Sequence, residues 1–316
     1  MKKALLFIAA LAVATGLVIL LLSFFTAEKT AKDAGLKVTA SFYPLAHFAQ
    51  KAGGQNIAVF MITPSGADSH DFEPTPRDIS RIRKSDLFIY NGAGLDPWAE
   101  RIDPTLRESG VQTLGMASKF TLLSAEKEDV HDEEGHGHGE SAFDPHIWLD
   151  PLMAAQQTAL IGEALAAVDP KSAASYQALS SRYAGELKAL HEEFSSGLSK
   201  CATKEIVVAH DAFGYLGRRY GLNIIAVTGV FSGEEPSPRR IADITKIVRG
   251  RSIKYIFFEP LTSPKIARTI ANETGAEVLE LNPLEGLTKD EEAAGADYIS
   301  IMRNNLANLR KALQCI

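Results

Sequence analysis

Short runs of β-branched and aromatic residues alternate along this chain with stretches of helical period. After a polar tether, "TAEKTAKDAG", the segments "LKVTA", "NIAVFMI", "DLFIYNG" and "VQTL" read as strands, each followed by a helix or a loop. "EIVVAH", "NIIAVTG", "KYIFFE" and "EVLELN" repeat the rhythm between residues 205 and 282. Strands alternating with helices specify a parallel sheet, so two such sets predict two similar α/β lobes. Between them Tyr176, Leu179, Tyr183, Leu187, Leu190, Phe194 and Leu198 recur at spacings of three and four, one face of a helix from Lys171 to about Ser199. Such a helix is about 40 Å long at 1.5 Å per residue, well beyond the usual three or four turns. It predicts a spine that braces both lobes and permits little hinge motion. The expected order is an N-terminal segment (1–35), a first lobe (36–168), the linking spine (169–200) and a second lobe (201–316).

The N-terminus sets the compartment. Lys2 and Lys3 precede an uncharged apolar run from Ala4 to Phe25, and about 20 such residues cross a bilayer. The lysines stay in the cytoplasm and the rest goes outward. The run is longer than a signal-peptide core and no A-x-A site follows, which favours an uncleaved inner-membrane anchor over a removed signal. The only cysteines are Cys201 and Cys315, so no lipidation cysteine follows the run. Outside the cytoplasm those two either pair in a disulfide or remain buried thiols.

Composition narrows the chemistry. Across 316 residues, 46% hydrophobic and 23% charged is ordinary globular usage, and a net charge of -6 supplies no basic footprint for nucleic acid. Eight histidines against two cysteines favour imidazole over thiolate chemistry.

Three histidines sit on stiff positions. His70 lies in "SGADSHDFEPTPRDI", a loop entering a helix with Thr75 as N-cap, Pro76 at the first position and Asp78 completing a capping box. His146 lies in "FDPHIWLDP", between two Asp-Pro dipeptides. His210 ends the strand "EIVVA", and strand carboxyl ends are where open α/β sheets bind ligands. Singly none marks a site, because histidine serves equally well as a hydrogen-bonded core residue. Together they are the ligands that a metal site between two lobes draws on. A fourth ligand comes from Glu259 in "FFEP", Asn282, or Glu285 in "ELNPLEGL". Asn282 is a poor zinc ligand because its amide oxygen carries no charge. Glu259 serves equally as a helix cap or a backbone-amide partner, and Glu285, in a loop where Gly286 allows close approach, is preferred.

The segments "SHDFEPTPRD", "DPHIWLDP", "AHDAFGYL", "FFEP" and "LNPLEGLT", in this order and at these separations, resemble the zinc and manganese solute-binding proteins of bacterial ABC importers. The resemblance runs from about Leu36 to about Leu313. It implies three histidines, His70, His146 and His210, holding the metal between the lobes, with Glu285 on the carboxylate of members that carry "NPLE"; Glu259 or water is the alternative fourth ligand. The manganese and iron branch typically replaces one histidine by a carboxylate, whereas His210 is retained here. Three imidazoles and a carboxylate suit Zn²⁺, while Mn²⁺ tolerates oxygen-rich, higher-coordinate shells; affinity alone does not discriminate against Cu²⁺ or Ni²⁺. The resemblance implies a monomeric extracytoplasmic protein, not an enzyme, that delivers Zn²⁺ to an ABC permease in the inner membrane. Binding is expected to fade below about pH 6 as the imidazoles protonate near pKa 6.5. The N-terminus departs from the family, whose Gram-positive members carry a lipoprotein cysteine and Gram-negative members a cleaved signal.

The segment Ser124 to Ala142 contains "HDEEGHGHGE", with His131, His136 and His138 among acids and glycines. It lacks apolar periodicity and cannot form a core. Similar zinc-binding proteins often carry such a stretch beside the site, where its imidazoles serve as auxiliary weak sites that gather Zn²⁺; an incidental solvated loop is the plainer reading. Two rivals belong to other classes. A zinc metalloenzyme needs an open coordination position, and no "HExxH" occurs. A metal-binding adhesin or chaperone would use the same fold to contact a partner surface.

Overall fold

The computed structural model describes residues 35–125, 143–230 and 235–316. The apolar run 4–25 and the histidines at 131, 136 and 138 lie outside these. In chain order the elements are β1 (Leu36–Ala40), α1 (Tyr43–Gly53), β2 (Ile57–Met61), α2 (Pro76–Ile82), β3 (Leu87–Tyr90), α3 (Pro97–Glu108) and β4 (Gln112–Gly115). Two helices follow, α4 (Pro151–Val168) and α5 (Ala173–Gly197). Then come β5 (Glu205–Val208), α6 (Gly214–Tyr220), β6 (Asn223–Ala226), α7 (Pro238–Gly250), β7 (Tyr255–Phe258), α8 (Lys265–Thr274), β8 (Glu277–Glu280), α9 (Lys289–Ala293) and α10 (Tyr298–Leu313).

Each lobe holds a four-stranded sheet, ordered β2-β1-β3-β4 in the first and β6-β5-β7-β8 in the second. Every pairing is parallel. All eight strands are those expected from the alternating pattern. The order reverses between β1 and β3 and again between β5 and β7, and at such a switch the loops leaving the strand ends diverge and open a crevice. β3, "LFIY", is buried at every position, as a strand covered on both faces should be.

The long helix is present as α5, slightly shorter than the periodicity suggested because Pro170–Ser172 forms a separate 3₁₀ turn before it. Its buried face carries Tyr176, Tyr183, Leu187, Leu190 and Phe194, and it packs on α1 and α4 on one side and α10 on the other. It therefore touches both lobes. Its partner α4 escaped the periodicity reading because apolar and small residues run almost all the way round it, with Glu163 the single charge. Gly162 explains the close approach of the two helices, since a Cβ there would lie 2.5 Å from Ser180 Oγ. One contiguous apolar core runs from Val38 and Phe48 through Trp148, Tyr183 and Phe194 to Val208, Tyr298 and Leu309. Swinging the lobes apart would expose it to water. Cys201 and Cys315 are joined by a disulfide, which fastens the end of α10 to the strand-side turn after α5. No helix among the described residues is long and apolar enough to cross a membrane.

Candidate metal centre

His70 is carried on the loop between β2 and α2. The loop is closed at its far end by the expected capping box, in which Thr75 and Asp78 exchange side-chain and backbone hydrogen bonds. At its near end it is fastened to the other lobe: the Gly66 N–H donates to Leu287 O at 2.8 Å, and Ser69 Oγ donates to Glu285 O at 2.9 Å.

His146 sits just before a 3₁₀ turn, Ile147–Leu149, and is fully buried. Its Nδ1–H donates to Asp144 Oδ1 at 2.8 Å, and the same oxygen accepts its backbone N–H at 2.9 Å. Asn91, at the end of β3, donates to Pro145 O at 3.1 Å. Trp148 Nε1 donates to Pro283 O at 2.7 Å, while the Tyr298 hydroxyl donates to Trp148 O at 2.5 Å. The two Asp-Pro dipeptides do more than stiffen the chain. Asp144 orients the imidazole, and Asp150 caps α4 by accepting the Leu152 N–H.

His210 leaves the end of β5, and its Nδ1–H donates to Glu259 Oε1 at 2.7 Å. Glu259 follows β7, so this pair spans the switch of strand order in the second sheet. Fixing Nδ1–H on a carboxylate leaves the Nε2 lone pair directed the other way, as a metal-binding imidazole requires.

Glu285 lies two residues beyond Pro283, in the loop after β8. Leu284 beside it takes φ +58°, a strained value for a branched side chain. Asn282 holds that strain: its Oδ1 accepts the Leu284 N–H at 2.7 Å, and its amide donates to Glu291 Oε1 at 2.8 Å. Asn282 thus shapes the loop and does not face the cluster.

Nε2 of His70, His146 and His210 and one oxygen of Glu285 converge. Glu285 Oε1 lies 3.4, 3.5 and 3.3 Å from Nε2 of His70, His146 and His210. His146 Nε2 lies 3.3 Å from that of His70 and 3.4 Å from that of His210. These five separations match the edges of a tetrahedron whose centre is about 2.1 Å from each vertex, the length of a zinc–nitrogen bond. The His70 and His210 rings are the widest pair, with centroids 5.9 Å apart against 5.4 and 5.3 Å for the other two, and all four donors lie within 4.8 Å of one another. Glu285 Oε1 is buried with no hydrogen-bond partner among the described residues. Lone pairs aimed at one small volume are an arrangement that a cation relieves.

The charges are coupled. Burial alone would raise the Glu285 carboxyl, but the three imidazoles hold it well below the usual carboxylate range. Burial alone would lower His210, but Glu259 and Glu285 overcome it and raise the imidazole well above 6.5. His146 is raised likewise, its burial outweighed by Asp144 and Glu285. Three carboxylates thus surround three imidazoles, a field that favours a divalent cation.

Of the residues singled out in the sequence, His70, His146, His210 and Glu285 are brought together, and Glu259 stands behind His210. The remaining described histidines, His47 and His191, pair with the hydroxyls of Tyr183 and Tyr220. Sequence reasoning did not find the orienting roles of Asp144 and Asn91 or the cross-lobe bonds of Trp148 and Tyr298. A carboxylate two residues from a candidate ligand was the available signal for the first; the others depend on tertiary contacts.

Residues 38–312 match the family described as "ZnuA: Zinc-uptake complex component A periplasmic". The chain is 36% identical over 297 residues to the zinc-binding protein AdcA of Streptococcus pyogenes serotype M1, covering 90% of this chain and 57% of that one. It therefore spans little more than half the length of that relative. To the high-affinity zinc uptake system protein ZnuA of Bacillus subtilis it is 34% identical over 279 residues, 88% of each chain. The crystal structure of the Zn(II)-bound ZnuA-like domain of Streptococcus pneumoniae AdcA superposes with a TM-score of 0.76 at 30% identity, covering 88% of this chain and 99% of that one.

Proposed function

The chain belongs to the ZnuA family of periplasmic zinc-uptake components, and from that premise we propose that it captures Zn²⁺ outside the cytoplasm and passes it to the permease of an ABC importer. The observation that carries this is the convergence of His70, His146, His210 and Glu285, with five donor separations at tetrahedral-edge length. Three neutral imidazoles and one carboxylate suit borderline-soft Zn²⁺ better than Mn²⁺ or Fe²⁺. Asp144 and Glu259 support the reading, because imidazoles bound to a metal through Nε2 commonly give Nδ1–H to a carboxylate.

A hydrolytic zinc site would keep a position open for water. Glu285, directed at the same point as the three imidazoles, favours a closed cargo site. In this reading the first lobe (36–168), the spine (169–200) and the second lobe (201–316) act as one body. The run 4–25 tethers the protein to the inner membrane, and His131, His136 and His138 supply weak auxiliary sites. We take the protein as a monomer, since the site needs no ligand from a second chain.

The test is chelator competition. Wild-type protein should hold one Zn²⁺ tightly, and alanine at His70, His146 or His210 should weaken it by more than about 100-fold, beyond the 10–100-fold typical of outer-shell changes. Full stoichiometric affinity in the His210→Ala protein would refute the ligand set. In cells lacking a second importer, deleting the gene should slow growth only under zinc limitation.

A further inference from the structure

His146 and His210 belong to different lobes, and their Nε2 atoms stand 3.4 Å apart. Besides the bonds that join Trp148 to Pro283 and Tyr298, a short helix ties the two lobes together here. α6 starts four residues beyond His210 and carries Tyr215 and Arg219, which, four apart, share one face. The Tyr215 hydroxyl donates to Asp144 O at 2.8 Å and accepts the Leu123 N–H at 3.0 Å. Arg219 reaches Asp150 Oδ2 with Nε at 2.8 Å and with its second nitrogen at 2.6 Å. Asp144 and Asp150 are the two aspartates that bracket His146. Gly214, at the start of α6, packs so closely that a Cβ there would lie 2.5 Å from Asp144 Oδ2. Both ends of the segment carrying His146 are therefore gripped by the helix that follows His210.

We propose that α6 is a two-point clamp, in which Tyr215 and Arg219 are positioning residues that fix the His146 to His210 spacing and so select a small four-coordinate ion over a larger one. The inference rests on the zinc reading above and adds what enforces it. Donor identity alone discriminates poorly among divalent metals, so selectivity falls to geometry. A larger ion with more ligands needs the imidazoles to spread, and the clamp resists that spread. The first lobe holds the same segment separately through the hydrogen bond from Asn91 to Pro145 O. Releasing the clamp should therefore leave His146 in place within its own lobe while letting its spacing to His210 widen for a larger ion.

The experiment compares wild type with Tyr215→Phe and Arg219→Gln in the full chain. Zn²⁺ affinity is measured by chelator competition, and Mn²⁺ affinity from the paramagnetic resonance signal of the free ion. Both variants should keep one Zn²⁺ per chain while the preference for Zn²⁺ over Mn²⁺ falls about tenfold, the scale of an outer-shell contribution. A preference unchanged within threefold, whether or not both affinities drop together, overturns the clamp, because general loosening weakens both metals alike. The two substitutions act at opposite ends of the segment, so either folded variant gives the answer. Failure of the zinc reading is seen separately, as a wild-type protein whose binding is indifferent to His70→Ala.

Discussion

Glu259 accepts the Nδ1–H of His210 at 2.7 Å across the point where the strand order of the second sheet reverses. The two residues leave adjacent parallel strands, so the sheet itself sets their separation. Glu259 also borders a cavity of about 200 Å³ lined in part by Thr228, Thr262 and Ser263, which gives an amide room in its place. Glu259→Gln should therefore fold normally yet lower Zn²⁺ affinity by about 10- to 100-fold, since the imidazole loses its charged orienting partner. Chelator competition measures this, and an affinity within twofold of wild type would mean that His210 is held by something else.

The pH dependence should lie higher than the sequence suggests. Free imidazoles titrate near 6.5, which gave the expectation of fading below about pH 6. In the fold, Glu259 and Glu285 raise His210 well above that value, and Asp144 and Glu285 raise His146. Raised values mean that these imidazoles keep their protons to higher pH than free ones do, and Zn²⁺ must compete with those protons. Affinity should thus keep climbing as pH rises above 6.5 instead of levelling there. Calorimetry at pH 7 in buffers of different ionisation enthalpy should register net proton release. Binding heats that do not depend on the buffer would contradict it.

How much of this was legible in the sequence depended on how local each signal was. The strands were readable because β-branched and aromatic runs between turns have few alternatives, and Tyr176 to Phe194 declared the long helix by period. α4 was not readable, because its exposed stripe sets Ala159 and Ala167 beside Gln156 and Glu163, leaving little polar contrast to reveal its phase. His70, His146 and His210 were legible as candidates from their stiff surroundings. Glu259 was ambiguous because its role depends on β7 lying beside β5, a pairing no local pattern encodes. The cysteine pair stood open for the same reason: Cys201 and Cys315 are 114 residues apart, and only the fold brings them together.

Deleting residues 126 to 140 should leave the first tight equivalent of Zn²⁺ untouched. All four proposed ligands lie on other segments, and both flanks of the deletion are anchored: Asp144 N–H donates to Leu123 O at 2.9 Å, and Tyr215 holds the same two residues. The deletion should abolish later, weaker equivalents, because imidazoles on a segment of this composition pay ordering entropy on binding. Each tenfold loss in affinity corresponds to about 1.4 kcal/mol, and the late equivalents should lie several such steps below the first. Loss of the first equivalent would place a primary ligand inside the deleted stretch.

His47 should make the protein acid-sensitive independently of metal. Its Nε2 lies 2.8 Å from the Tyr183 hydroxyl, and its ring is enclosed by Tyr43, Phe48 and Tyr298, where α1 meets α5 and α10. Burial, aided by the nearby Lys51 charge, lowers its pKa from 6.5 to about 4. Between those values the unfolded chain binds the proton that the folded one refuses, so stability is complete above 6.5 and declines as pH falls toward 4. The loss can reach about 3 kcal/mol at 1.36 kcal/mol per unit. The raised histidines of the metal site act in the opposite sense when empty, so wild type must be compared with His47→Gln under identical chelation. Glutamine keeps a hydrogen-bonding group near Tyr183 and removes the titration. The stability difference between the two proteins, from urea unfolding at pH 7.5 and at pH 4.5, should shift toward the variant at the lower pH by about 2 kcal/mol or more. Parallel stability curves across that range would show that His47 accepts its proton without cost in the fold.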